Sequence, residues 1–150
     1  MRLKLIVVGV PKNSHIRALA QDYLERLGRY ATTQVVYVKD QPGAHAAARL
    51  EERLLERLGP HEYLVALDAG GRMLSSPELA AFLGTHATTG VRTLTFLIGG
   101  PVGLGERVKK RADLVLSLSP MTFPHELCLV LLLEQLYRGM SILRGEPYHK

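Results

Sequence analysis

At 150 residues, 47% hydrophobic and 22% charged, the chain has the length and balance of one globular domain with room for a full core. Thirteen arginines and six lysines leave a net charge of +5, which favours a polyanionic partner, with a merely basic enzyme as the equally weighted alternative. The single cysteine, Cys128, excludes an intramolecular disulfide, and the longest apolar run, Leu127–Leu133, is far too short to span a membrane, so a cytoplasmic address is expected.

The opening MRLKLIVVGV has a charged start but no small-residue cleavage site, and reads as part of the fold rather than as a signal peptide. Its apolar stretch Leu3–Gly9 predicts a first strand. Asn13 or Ser14 can cap a helix over Ser14–Tyr30, with Gly28 near its end. A second strand follows at Gln34–Lys39. QPGAH (Gln41–His45) is the one linker-like stretch and is too short to separate domains. Ala44–Leu58 reads as a helix whose Arg49, Glu52, Arg53, Glu56 and Arg57 are spaced for ion pairs on a solvated face. Tyr63–Asp68 predicts a third strand. Ser76, Pro77 and Glu78 supply the cap and first turn of a helix over Pro77–Leu83. Thr93–Ile98 and Leu114–Leu118 complete the strands, separated by a helix at Leu104–Arg111 that carries Arg107, Lys109, Lys110 and Arg111.

Strands alternating with helices predict an α/β domain spanning residues 1–150, with a mainly parallel sheet of five to six strands and helices on both faces. The last helix, from about Pro124 to Leu143, is apolar all round at Leu127, Leu129, Val130, Leu131, Leu132 and Leu133. Such a helix is buried on more than one side, which predicts a homodimer; deep burial within one chain is the competing explanation.

Two segments carry the chemistry. FLIGGPVGLG (Phe96–Gly105) and LSLSPMTFPHE (Leu116–Glu126) are each a strand running into a loop rich in small residues, as at ligand sites beyond the carboxyl ends of parallel strands. The glycine run lacks the lysine and hydroxyl of a phosphate loop and the third glycine of a dinucleotide fingerprint. It therefore suits a ligand that does not hang on phosphates. S-adenosylmethionine is one such ligand, and a plain tight turn is the simpler reading of Gly-Gly-Pro.

Together with LSLSPMTFPHELCLVLLLEQLYRGMSI and the closing RGEPYHK, these motifs resemble the SPOUT-class methyltransferases of large-subunit ribosomal RNA, from the LKLIVVG opening to the final Tyr-His-Lys. The resemblance implies a carboxyl-terminal trefoil knot, a homodimer with its active site across the interface, and S-adenosylmethionine held by Leu67, Gly99, Gly100, Leu118, Ser119, Pro120, Met121, Thr122 and Phe123. It also implies methylation of N3 of a pseudouridine in the intersubunit stem-loop of 23S rRNA. With no appended RNA-binding domain, the assembled 70S ribosome is the expected substrate. No metal and no membrane contact is expected.

Loss of the N3 proton calls for a base near neutral pKa, and histidine suits. His125, beside the second loop, is as readily a structural helix start as a catalytic group. Tyr148 and His149 match the family's tail, and substrate contact is favoured for both. Arg138 either pairs with Glu134 four residues before it or holds RNA in the active centre. The base stays unassigned between these groups. Relatives commonly carry arginine where this chain has Leu129, on the helix face of His125, which keeps open a non-catalytic RNA-binding or ribosome-assembly protein. A flavodoxin-like nucleotide binder is the third reading.

Overall fold

The computed structural model describes residues 1–150. Five strands and five helices alternate: β1 (Arg2–Val8), α1 (Ser14–Leu27), β2 (Thr32–Val38), α2 (Ala46–Glu56), β3 (Tyr63–Met73), α3 (Ser76–Thr88), β4 (Thr93–Ile98), α4 (Glu106–Arg111), β5 (Leu114–Ser117) and α5 (His125–Leu143). The strands form one sheet in the order β2-β1-β4-β3-β5, and every pairing is parallel.

Alternate residues of the strands feed two cores. Leu3, Leu5, Val7, Leu94, Phe96 and Ile98 face α1, α3 and α5, whereas Ile6, Val8, Leu64, Ala66 and Leu97 face α2 and α4. Burial on both faces explains why the strand sequences are nearly continuous in apolar residues. The polar exceptions are satisfied: Lys4 Nζ lies 3.0 Å from Glu62 Oε1, and the buried Thr95 hydroxyl donates to Glu62 Oε2 at 2.8 Å.

Several elements differ from the sequence reading. β3 runs five residues past Asp68 because the ladder shifts after Leu67, so that Leu67 and Arg72 both register with Leu116. Gly71 makes this possible, since a Cβ there would lie 2.6 Å from the Val115 carbonyl oxygen. α3 continues to Thr88 although its second half is polar, because His86 stacks on Phe82 and Tyr63 with ring centroids 4.2 and 4.3 Å apart. The ion pairs expected along α2 do not form: none of its arginines bridges one of its glutamates, and Arg49 Nη2 instead donates to the Pro42 carbonyl at 2.6 Å.

The cap of α3 is Ser75, not Ser76. Its hydroxyl accepts from the Glu78 N–H at 3.2 Å, and the Glu78 carboxylate accepts from the Ser75 N–H at 2.6 Å, a reciprocal capping box. Those bonds hold the Glu78 carboxyl below its ordinary value of 4.5. A carboxylate lowered on folding contributes stability that is full above its unfolded pKa and is lost as pH falls through the folded one. Ser75→Ala is therefore expected to cost about 1 kcal/mol at neutral pH. The stability gap between the wild type and Glu78→Gln should narrow as pH falls through the lowered Glu78 value, and a gap that stays constant at every pH would show that the charge of Glu78 contributes nothing.

α5 packs between α1 and α3. Gly139 permits the close approach, since a Cβ there would sit 2.8 Å from Leu83 Cδ1. Of the helix's all-round apolar set, Leu129, Val130, Leu132 and Leu133 are buried within the chain itself. Only Leu127 and Leu131, 42% and 39% exposed and one turn apart, face outward, and Leu131 shares a shallow groove with Phe123.

Candidate functional site

The carboxyl ends of β3, β4 and β5 open into a cleft of about 620 Å³. β3 contributes Leu67 and Asp68, β4 delivers Ile98 into Gly99 and Gly100, and the segment after β5 supplies Leu118, Ser119, Met121, Thr122 and Phe123. His125 and Cys128, in the first turn of α5, close the side. Of the expected cofactor-binding set only Pro120 stands outside the lining, and Met121, 73% exposed, marks the rim rather than an enclosed slot.

Local chemistry shapes each loop. Gly100 to Gly103 is a tight turn with Pro101 in its second position, closed by the Gly103 N–H donating to the Gly100 carbonyl at 2.9 Å. Gly103 has φ of +75°, which favours glycine. The turn folds back on Gly99, where a Cβ would lie 3.0 Å from both the Gly103 carbonyl carbon and Leu104 Cδ2. Tight turn and ligand cradle are thus compatible readings of the same residues. In the second loop the Ser119 hydroxyl accepts from the Met121 N–H at 3.0 Å while the Ser117 hydroxyl donates to the Ser119 carbonyl at 3.0 Å, bending the chain across the cleft.

No lysine or arginine lines the cleft. Its one carboxylate, Asp68, sits 3.5 Å from Lys109 Nζ and accepts from the Gly70 N–H at 3.0 Å. Apolar walls, close-approach glycines and the absence of cations suit an uncharged or cationic ligand better than a phosphate. Burial raises the Cys128 thiol above its ordinary range, so it remains protonated at neutral pH. His125 Nε2 lies 3.7 Å from the position of a Cβ on Gly9, a glycine with φ of +82°, so the β1–α1 loop passes directly against the imidazole. That loop is tied to α5 by the Lys12 N–H donating to Glu126 Oε1 at 2.7 Å.

Arg138, Tyr148 and His149 do not reach this cleft. They form a second cluster on the carboxyl-terminal half of α5, roughly 20 Å along the helix from His125 at 1.5 Å per residue. Glu134 is its centre: Oε1 accepts from Arg138 Nε at 3.0 Å, from Arg138 Nη2, and from the Tyr148 hydroxyl at 3.0 Å. Arg138 Nη1 lies 3.2 Å from His149 Nδ1, and its guanidinium stacks 4.8 Å from the Tyr148 ring centroid. Burial, then hydrogen bonds, raise the Tyr148 hydroxyl well above its ordinary value. The tail is further tied down by Tyr30, whose hydroxyl donates to Glu146 and is pushed up to about 12, chiefly by that bond. Tyr137 packs edge-on beneath Tyr148 at 4.7 Å.

The pair Glu134 and Arg138 was legible from its spacing, but the docking of the tail onto it was not. Asp68 had a signal, a carboxylate at a strand's carboxyl end. Leu129 is wholly buried in the core and lines neither cluster. No group of three or more His, Cys, Asp or Glu side chains is placed to hold a metal ion. No helix is long and apolar enough to cross a membrane.

A family model described as "Predicted SPOUT methyltransferase" matches residues 1–149. Curated relatives named ribosomal RNA large subunit methyltransferase H include those of Pelotomaculum thermopropionicum, 45% identical over 156 residues and 98% of each chain, and Symbiobacterium thermophilum, 44% identical over 161 residues and all of each chain. Among solved structures, a probable methyltransferase from Bordetella pertussis superposes with a TM-score of 0.60 at 17% identity, covering 93% of this chain and 94% of that one. The tRNA (m1G37) methyltransferase of Aquifex aeolicus gives 0.58 at 16% identity, over all of this chain and 74% of that one. At such identities the structures speak to the fold.

Proposed function

The chain belongs to the SPOUT methyltransferase family, and from that membership we propose that it methylates N3 of a pseudouridine in 23S rRNA, using S-adenosylmethionine, as a cytoplasmic homodimer acting on assembled 70S ribosomes. The observation that carries this reading is the cleft at the ends of β3, β4 and β5, with its close-approach glycines and no cationic lining. Full-length relatives named for large-subunit rRNA methylation supply the substrate class.

Gly99, Gly100 and Leu118 to Phe123 hold the methyl donor through backbone groups, with Leu67, Ile98 and Leu118 against its apolar parts. When bound, S-adenosylmethionine supplies an electrophilic methyl group on a sulfonium. The protein's work is to align that methyl with the target nitrogen and keep water from the sulfonium. His125 stands at the cleft, while Arg138, Tyr148 and His149 meet the RNA. Because about 20 Å of α5 separates the two groups in one chain, one reaction needs the cleft of one protomer and the tail of its partner. The exposed pair Leu127 and Leu131, with Phe123 beside Leu131, supplies an apolar surface for that association. The threaded knot belongs to the same proposal and is supported by the family membership.

The non-catalytic alternative rested on Leu129, and a core leucine does not favour it. A phosphate-bearing nucleotide finds no cation in the cleft. The test is methyl transfer to 70S ribosomes compared with protein-free 23S RNA. A single small domain offers little surface with which to read RNA sequence, so activity is expected on the particle and little on naked RNA. Equal rates on both would overturn the assembled-ribosome requirement.

A further inference from the structure

We propose that His149 serves the reaction as a hydrogen-bond donor through its Nε2–H, and not as the acceptor of the substrate's proton. The proposal rests on the functional reading above and assigns a role within it. The observation is the contact between Arg138 Nη1 and His149 Nδ1 at 3.2 Å. A guanidinium has donors only, so Nδ1 must be the acceptor and its lone pair is committed. The proton of the neutral imidazole then resides on Nε2, and the ring has no lone pair left with which to take another.

Accepting a proton would require His149 to release Arg138 and would set an imidazolium beside a guanidinium, which like charges oppose. The carboxylate that might offset this is engaged elsewhere: Glu134 Oε1 already accepts from Arg138 and from the Tyr148 hydroxyl, and no carboxylate hydrogen-bonds the imidazole. Glu134 is thus a positioning residue, which acts by holding Arg138 in the orientation that sets the tautomer of His149.

A donor is what the chemistry of an imide requires. N3 of the pyrimidine lies between two carbonyls, and when its proton leaves to water the negative charge spreads over N3 and both oxygens. An N–H aimed at one of those oxygens stabilises the anion. The N3 lone pair then forms the new bond to the methyl carbon as the carbon–sulfur bond breaks, and that bond's electron pair stays on sulfur, leaving a neutral thioether. His149 gives up no proton and gains none.

Nitrogen-15 NMR of the histidine-labelled full-length protein tests the tautomer without substrate. His149 is expected as the Nε2–H form with Nδ1 unprotonated, and that preference should weaken in Arg138→Ala. An Nδ1–H tautomer, or an imidazolium at neutral pH, overturns the proposal. Kinetics test the role: His149→Gln, which keeps an N–H donor but cannot act as a base, should retain activity to within about tenfold, while His149→Ala loses about a hundredfold. A glutamine variant as inactive as the alanine one, in an active wild type, overturns the donor role alone. A wild type inactive on ribosomes overturns the functional reading and, with it, the substrate contact.

Discussion

Gly99→Ala lowers the affinity for S-adenosylmethionine at least about tenfold, or about 1.4 kcal/mol, while the chain still folds. The added carbon meets two neighbours at 3.0 Å, the Gly103 carbonyl carbon and Leu104 Cδ2. One of them is backbone, pinned by the Gly100–Gly103 turn, and it cannot swing aside as a side-chain tip can. The turn must shift by a few tenths of an ångström, and the cleft shares Gly100, Pro101 and Gly103 with that turn. Calorimetric titration with S-adenosylhomocysteine reads the loss directly, and Val102→Ala, at the 76% exposed tip of the same turn, is the matched control with no expected effect. Undiminished affinity in Gly99→Ala would mean that the donor is seated elsewhere.

Mixing two inactive variants restores activity if the site is shared between protomers. Gly99→Val disables the cleft, and Tyr148→Ala with His149→Ala disables the tail, so each homodimer lacks one half of every site. Random reassociation makes about half of the dimers mixed, and each mixed dimer carries one complete site, so about a quarter of wild-type activity is expected. The two halves are separated along α5: His125 opens the helix, Arg138 lies in its second half, and the tail folds back onto Glu134 rather than toward the cleft. A mixture as inactive as its parents would place both halves of the site within one chain.

Much of this was legible in the sequence because the signals are local. β4 was bounded correctly at Thr93–Ile98, since a buried parallel strand reads as an apolar run and Gly99 ends it. The two loops at the cleft announced themselves through glycine, proline and serine. Where the reading slipped, the deciding interaction was distant in sequence. The end of β3 depends on Gly71 passing beside Val115, and the length of α3 on His86 stacking with Tyr63. The α3 cap was misplaced by one residue because Ser75 and Ser76 are chemically alike and only the spacing to Glu78 at the third helical position selects Ser75. The tail's docking joins residues up to 116 positions apart, as between Tyr30 and Glu146, and no periodicity encodes it. For α5 the apolar pattern was correctly seen as more than one stripe, yet α1, α3 and the sheet cover most of it and leave Leu127, Leu131 and the terminal Leu143 outward.

The most direct measurement is transfer of labelled methyl from S-adenosylmethionine to unmodified 70S ribosomes, with the product located by nuclease digestion and mass spectrometry. The account predicts a single methyl on N3 of one pseudouridine of 23S rRNA, lost in Gly99→Val. Ribosomes that bind the protein yet acquire no methyl, or acquire it elsewhere, would contradict it.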